Sequence, residues 1–308
     1  MRPTIFISLM SGLLACAACS SDAEPDEDWC LDPSYLVPLD VSVHVDRAFS
    51  DFRTVDSVFA TRSAADCPYL RYFAAAYPSN PGLPVVVASS VDTVVPMRIH
   101  PGKYTLVGWA SYETASEKTR GMYFYTDDFG ELLLRNKYSY TGANPYKLAF
   151  RGEAERNIAH NTSATGVTAT PAMAMYRIVA TDSAAFTPAK VVVQYSSILP
   201  SAVNGRTGRI NWWWSGMEYS CVPDGATLAS DYVLAADSET SVTVTVEMYD
   251  ADGSLCARKK DVEIPLVNGG VTTVRANFLS VRELDNSVSP GGGISINTEW
   301  DATFEIEI

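Results

Sequence analysis

The sequence predicts an all-β protein of sandwich type, and three observations carry that expectation. The 308-residue chain holds 16 tyrosines among many valines and threonines, residues that suit a pleated, half-buried surface. No long stretch shows a helical period. Short strand candidates recur between Gly, Pro, Asn and Asp turns, as in a β-sandwich.

Val41 to Val45 (VSVHV) alternates and forms the first strand. Arg47 to Asp66 is polar and ambiguous. Pro68 to Phe73 starts the second strand, which Asn80-Pro81-Gly82 turns. Leu83 to Ala88 and Thr93 to Ile99 follow. Pro101-Gly102 makes a tight turn into Lys103 to Tyr112. Asp127-Asp128-Phe129-Gly130 separates Met122–Thr126 from Glu131–Leu134. Lys147 to Ile158 reads as a short helix or a crossover. The polar, small stretch Asn157 to Gly166 marks a boundary, giving one β-sandwich over 41–160 and another over 161–308. In the second half, Met173–Thr181 and Lys190–Ser196 look paired. Asn204-Gly205 is a hairpin dipeptide. Val242 to Met248 alternates cleanly, and Asp252-Gly253 turns it into Ser254 to Ile264.

The last segment has the clearest pattern. Ile294, Ile296, Trp300, Ala302, Phe304, Ile306 and Ile308 share one parity, with Thr298 the exception, and Ser, Asn, Glu, Asp and Thr fill the other. At about 3.3 Å per residue such a strand spans roughly 50 Å, so it is one long strand or two with a bend. It can close its own sheet or fill a groove in another subunit.

The first thirty residues read as an export signal. Met1 and Arg2 give a positive end, and Ile5 to Ala15 an uncharged apolar run. A membrane-spanning helix needs about 20 apolar residues; this run is shorter and suits a signal h-region. Leu13-Leu14-Ala15-Cys16-Ala17-Ala18-Cys19 closes it. A cysteine after Leu-Leu-Ala resembles a bacterial lipobox, which leaves the cysteine N-terminal and acylated. Cys16 is preferred because an aliphatic residue precedes it by three places; Cys19, preceded by Ala17-Ala18, is the alternative. The signal segment is placed at 1–18 and an acidic tether at 19–40.

Hydrophobic residues make up 47% of the chain, enough for real cores, and the net charge is −13. No basic stripe is available to neutralise phosphates, which excludes nucleic acid as a partner. Outside the signal, Cys30, Cys67, Cys221 and Cys256 remain. Export permits disulfides, with Cys30–Cys67 and Cys221–Cys256 the pairing that stays within each half, but free thiols fit equally. No CxxC spacing supports a zinc site.

Signals for catalysis are absent from the motifs. Only His44, His100 and His160 occur, with no HExxH, GxSxG, Walker loop or GxGxxG. The reading is a non-enzyme with no cofactor and no metal. Asp250-Ala251-Asp252-Gly253 starts like a calcium loop, but Leu255 and Asp261 break the pattern, leaving a hairpin turn. Trp212-Trp213-Trp214 stands out. Strand neighbours point to opposite faces, so at least one of these tryptophans leaves the core unless both faces are covered. Exposed tryptophans stack on sugars or anchor partners.

Two further motifs carry a resemblance. They are Pro101-Gly102-Lys103-Tyr104-Thr105-Leu106-Val107-Gly108-Trp109-Ala110 and the run from Ile264 to Leu279 (IPLVNGGVTTVRANFL). With the lipobox and acidic tether, the chain resembles the fimbrillin-type lipoproteins of Bacteroidia, the anchor, stalk, tip and accessory subunits of type V pili. The resemblance implies two tandem transthyretin-like β-sandwich domains and an outer-membrane, cell-surface location through an N-terminal lipid. It implies other fimbrial subunits as partners, with a host protein or glycan as adhesion target. It further implies proteolysis after an arginine in the first strand region, matched here by Arg47 or Arg53. The groove so opened would be filled by a neighbour's C-terminal strand, matched by Ile294, Ile296, Trp300, Phe304, Ile306 and Ile308. The alternative from the residues is a surface glycan-binding lipoprotein using Trp212, Trp213 and Trp214.

Overall fold

The structure, a computed structural model, describes residues 32–46, 69–113, 123–135, 140–183, 186–236, 240–280 and 303–307. The first half contributes β1 (Val37–Val45), β2 (Tyr69–Pro78), β3 (Val86–Ser90), β4 (Val94–Ile99), β5 (Gly102–Glu113), β6 (Phe124–Tyr125), β7 (Leu132–Leu134), β8 (Ala149–Ile158) and β9 (Ala164–Pro171). The second contributes β10 (Met173–Ala180), β11 (Lys190–Tyr195), β12 (Leu199–Val203), β13 (Ile210–Trp214), β14 (Glu218–Cys221), β15 (Thr227–Leu234), β16 (Thr240–Tyr249), β17 (Leu255–Leu266), β18 (Val271–Ala276) and β19 (Thr303–Glu307). The all-β expectation holds.

Seven strands run in the order β3-β2-β5-β8-β9-β1-β4, and this sheet rolls over on itself. A methyl group added at Gly108 of β5 would lie 3.1 Å from Val43 of β1 and 3.3 Å from Val167 of β9. The β5 side therefore faces the β1 side, with the core between them. The outer face of β5 is covered as well, because Trp109 meets Phe124 of β6 edge-on with ring centroids 5.3 Å apart. Coverage on both faces explains why β5 is apolar almost throughout instead of alternating.

The second half forms two four-stranded sheets, β15-β10-β18-β19 and β14-β11-β16-β17. Tyr176 of β10 reaches across the layers, its hydroxyl 3.0 Å from that of Tyr195 on β11 and 3.1 Å from that of Tyr219 on β14. A fourth sheet, β13-β12-β7-β6, draws strands from both halves, with Ala202 opposite Leu133 and Val203 opposite Leu132. One continuous cluster of buried apolar side chains runs through all of these sheets.

Several expectations change in this frame. Residues 149–158 form a strand, not a helix or crossover. β8 pairs with β5 from Gly102↔Ile158 to Ser111↔Ala149, and this long ladder overrides the local helical tendency of its Ala and Glu residues. The change of sheet falls between Pro171 and Met173, later than residue 160: β9 joins the first sheet, parallel to β1, and only β10 begins the second half. Met173–Thr181 and Lys190–Ser196 do not pair; β10 and β11 lie in facing sheets. Their apolar residues meet across the core, which gives the same alternation as a hairpin would.

Cys221 and Cys256 carry free thiols. The sheet order separates β14 from β17 by β11 and β16. Three interstrand steps of about 4.8 Å put these cysteines far beyond the ~7 Å Cα limit of a disulfide. Asp250 forms a hairpin turn, its Oδ1 accepting from the backbone N–H groups of Asp252 and Ser254. Cys16, Cys19, Cys30, Cys67, Arg47, Arg53, Ile294, Ile296, Trp300 and Ile308 lie outside the described residues.

Candidate functional site

The first site is the position of β1. This strand is the interior member of β9-β1-β4. It pairs antiparallel with β4 from Val37↔Ile99 to Ser42↔Val94 and parallel with β9 from Asp40↔Ala164 to Val45↔Ala169. Val37, Leu39, Val41 and Val43 are buried, whereas Pro38, Asp40, Ser42 and His44 face out. The alternation VPLDVSVHV is that of a strand with one wet face, extending the predicted strand back from Val41 to Val37. The described strand region ends at Asp46, immediately before Arg47.

The C-terminal segment enters the same question. Thr303 to Glu307, which includes Phe304 and Ile306, lies parallel to β18 in the register Val271↔Thr303 to Arg275↔Glu307. It occupies the edge of its own sheet, as one of the two sequence readings expects. Upstream, Asp182 holds the chain leaving β18. Its carboxylate accepts from the N–H groups of Phe278, Leu279 and Ser280 at 3.1, 2.9 and 2.6 Å, and from the Ser280 hydroxyl at 2.6 Å. Slight burial pushes the Asp182 pKa up, but the hydrogen bonds from Ser280 and Leu279 outweigh it and hold the group below its ordinary 3.8.

The second site is the tryptophan strand β13, an edge strand. Trp212 and Trp213 are 54% and 45% exposed, while Trp214 is 6% exposed. The β12–β13 register skips Ser201 between Pro200↔Trp213 and Ala202↔Trp212, and skips Asn211 before Val203↔Ile210. Bulges of this kind re-aim side chains. Trp212 lies in one cross-strand row with Ala202, Leu133 and Tyr125, and the Arg135 guanidinium sits 4.9 Å from the Tyr125 ring centroid. Trp213 is opposite Pro200 instead. The expectation that at least one tryptophan leaves the core holds; two do, each about half exposed on an edge strand.

A third feature was not anticipated from the sequence. Lys147, the last residue of the short 3-10 turn Pro145–Lys147, plunges into the second half and touches Asp231 of β15. Four tyrosines, Tyr140, Tyr176, Tyr195 and Tyr219, surround the pair and one another. Burial pushes all four phenols well above their ordinary pKa. Burial also raises the nearby Cys221 thiol to about 11.

Comparison with known proteins adds the family. The chain matches, over residues 39–308, the model of the family of unknown function DUF6562. It belongs to that family. None of the curated proteins matches it. Among solved structures, a candidate cell adhesion protein of Bacteroides ovatus is 13% identical, with 78% of this chain and 92% of that one covered and a TM-score of 0.45. The tip fimbrial protein Mfa3 of Porphyromonas gingivalis is 11% identical, covering 75% and 81% with a TM-score of 0.40. The fimbrial anchor protein Mfa2 of the same organism is 8% identical, covering 73% and 82% with a TM-score of 0.37.

Proposed function

We infer that this DUF6562 protein is an exported surface lipoprotein of fimbrial or adhesin type, acylated at Cys16 or Cys19 and held at the outer membrane. Its partners are other copies or related subunits, and a host protein or glycan is its target. The observation that carries this reading is the position of β1, an interior strand with Arg47 just beyond it. Cleavage there or at Arg53 frees β1 from the rest of the chain. Its departure exposes both flanking ladders, on β4 and β9, together with the core contacts of Val37, Leu39, Val41 and Val43. Burial of such side chains is worth about 1.5–3 kcal/mol each, an upper estimate because unfolded chains already bury some surface. Four of them amount to roughly the whole stability of a domain, about 5–15 kcal/mol. A vacated slot therefore demands a replacement strand, and the alternating segment 294–308 of a neighbour has the required pattern.

Limited trypsin digestion of the purified mature protein tests this. A cut after Arg47 or Arg53 followed by SDS-resistant oligomers is expected of a polymerising subunit. Resistance at both arginines with a stable monomer removes the stalk role and leaves an anchor or a glycan-binding lipoprotein.

Exposed Trp212 and Trp213 favour a second reading, a glycan-binding surface lipoprotein in which sugars stack on the β13 edge. Retention on immobilised polysaccharide that is lost in Trp213→Ala supports it; equal retention of both proteins removes it.

A further inference from the structure

Lys147 and Asp231 are the least expected pair in the molecule. They come from opposite halves, and their side chains are 2% and 0% exposed. The loop that carries the lysine is shaped for the contact. Gly142 lies flat against the ring of Tyr219, where an added methyl group would come within 2.1 Å of that ring. Ala143 takes the left-handed conformation, φ 48°. Lys147 Nζ donates to Asp231 Oδ1 and to the Tyr140 hydroxyl at 3.1 Å, and it sits 4.2 Å from the Tyr140 ring centroid.

The carboxylate is held with its two oxygens in different roles. Oδ2 accepts from the hydroxyls of Tyr140 at 2.7 Å and Tyr195 at 2.6 Å. Oδ1 accepts from Lys147 and from the Tyr232 backbone N–H at 2.7 Å. Tyr195 is itself braced by Tyr176 at 3.0 Å. An amine thus faces a carboxyl group whose other oxygen already has two donors, inside an aromatic shell.

We propose that Lys147 and Asp231 condense to an intramolecular isopeptide bond that ties the two halves of the protein together. One proton passes from the ammonium to Oδ1, giving a neutral amine and a carboxylic acid. Burial lowers the Lys147 pKa despite the opposing pull of Asp231 and so eases loss of the ammonium proton. The amine lone pair forms the Nζ–Cγ bond while charge builds on Oδ2, where Tyr140 and Tyr195 act as an oxyanion hole. A second proton moves from Nζ to Oδ1, the Cγ–Oδ1 bond breaks, and Oδ1 leaves as water. Nζ keeps its third hydrogen and Oδ2 becomes the amide oxygen. Atoms and charge balance with no oxidant, metal or cofactor. Fixed proximity supplies an effective molarity of about 10⁵–10⁸ M, and the reaction removes a costly buried charge pair. The bond is independent of what the outer surface binds.

Mass spectrometry of the full chain decides the matter. The denatured protein is expected to be lighter by one water than the chain counted from its sequenced N-terminus. Trypsin should then yield a branched peptide joining 138–151, uncut at Lys147, to 210–258. Linear peptides ending at Lys147 and spanning 210–258 unmodified would overturn the proposal, as would a missing water located elsewhere. Tyr195→Phe keeps the ring and removes one donor. Bond formation, read as the loss of one water at set times after a pulse of synthesis, should slow by about 10², and an unchanged rate would overturn the role given to the Tyr195 hydroxyl.

Discussion

β1 and β19 are the first and last strands described, and they are held in different ways. β1 is paired on both edges and buries one of its faces, with Leu39, Val41 and Val43 at 1%, 0% and 0% exposure. Among the described residues β19 is paired on one edge only, with β18. Both use parallel ladders, β1 with β9 and β19 with β18, so ladder type does not separate them. The difference is the number of neighbours. A strand with two neighbours cannot leave without leaving a gap in the sheet, whereas loss of an edge strand only makes its neighbour, here β18, the new edge. In the proposed function, β1 leaves only after a chemical step, whereas the C-terminal segment is lent reversibly.

The largest expected effect comes from Leu39→Asp, which puts an unpaired charge into the first core. The first half should fail to fold, seen as loss of cooperative thermal unfolding. Leu39→Ala should cost about 2–5 kcal/mol in denaturant titration. A loss below about 1 kcal/mol would mean that β1 is not an integral strand. Deleting residues 303–308 should cost less than Leu39→Ala and leave amide protection in β2, β5 and β8 unchanged. Equal losses would erase the contrast between the two strands.

The smallest effect is at Asp182. Its folded pKa lies below the ordinary 3.8, so its contribution is complete above that value. It fades as pH falls through the lower, folded value. Amides of Leu279 and Ser280 should therefore lose exchange protection only below the ordinary carboxylate range. In Asp182→Asn that acid step should vanish.

Much of the fold could be read where burial has a simple period. β1 and β16 alternate because each has one covered face, and Val242, Val244, Val246 and Met248 are all buried as their parity predicts. β5 was found from its apolar content, although with both faces covered it lacks alternation. β8 is hidden in the sequence because its outward residues, Glu153, Glu155 and Arg156, carry no β signal; the β5 ladder decides its state. β6 and β7 are two and three residues long, too short for a period, yet the turn at Asp127–Gly130 marks both; the pairing of β7 with β12 of the other half leaves no local sign. Trp212 and Trp213 could be flagged by composition alone, but the bulges that set their neighbours arise from pairing with β12. The contact of Lys147 with Asp231 joins residues 84 positions apart and leaves no local signature. A lysine in Asn-Pro-Tyr-Lys-Leu reads as an ordinary surface cation.

The central claim, that β1 fills a slot another strand can take, is tested most directly by peptide capture. A labelled synthetic peptide of residues 294–308 is added to intact protein and to protein cut after Arg47 or Arg53. The account predicts stable uptake by the cut protein, with release of the β1 fragment, and none by the intact protein. Equal uptake by both forms, or a cut protein that keeps β1 and ignores the peptide, would contradict it.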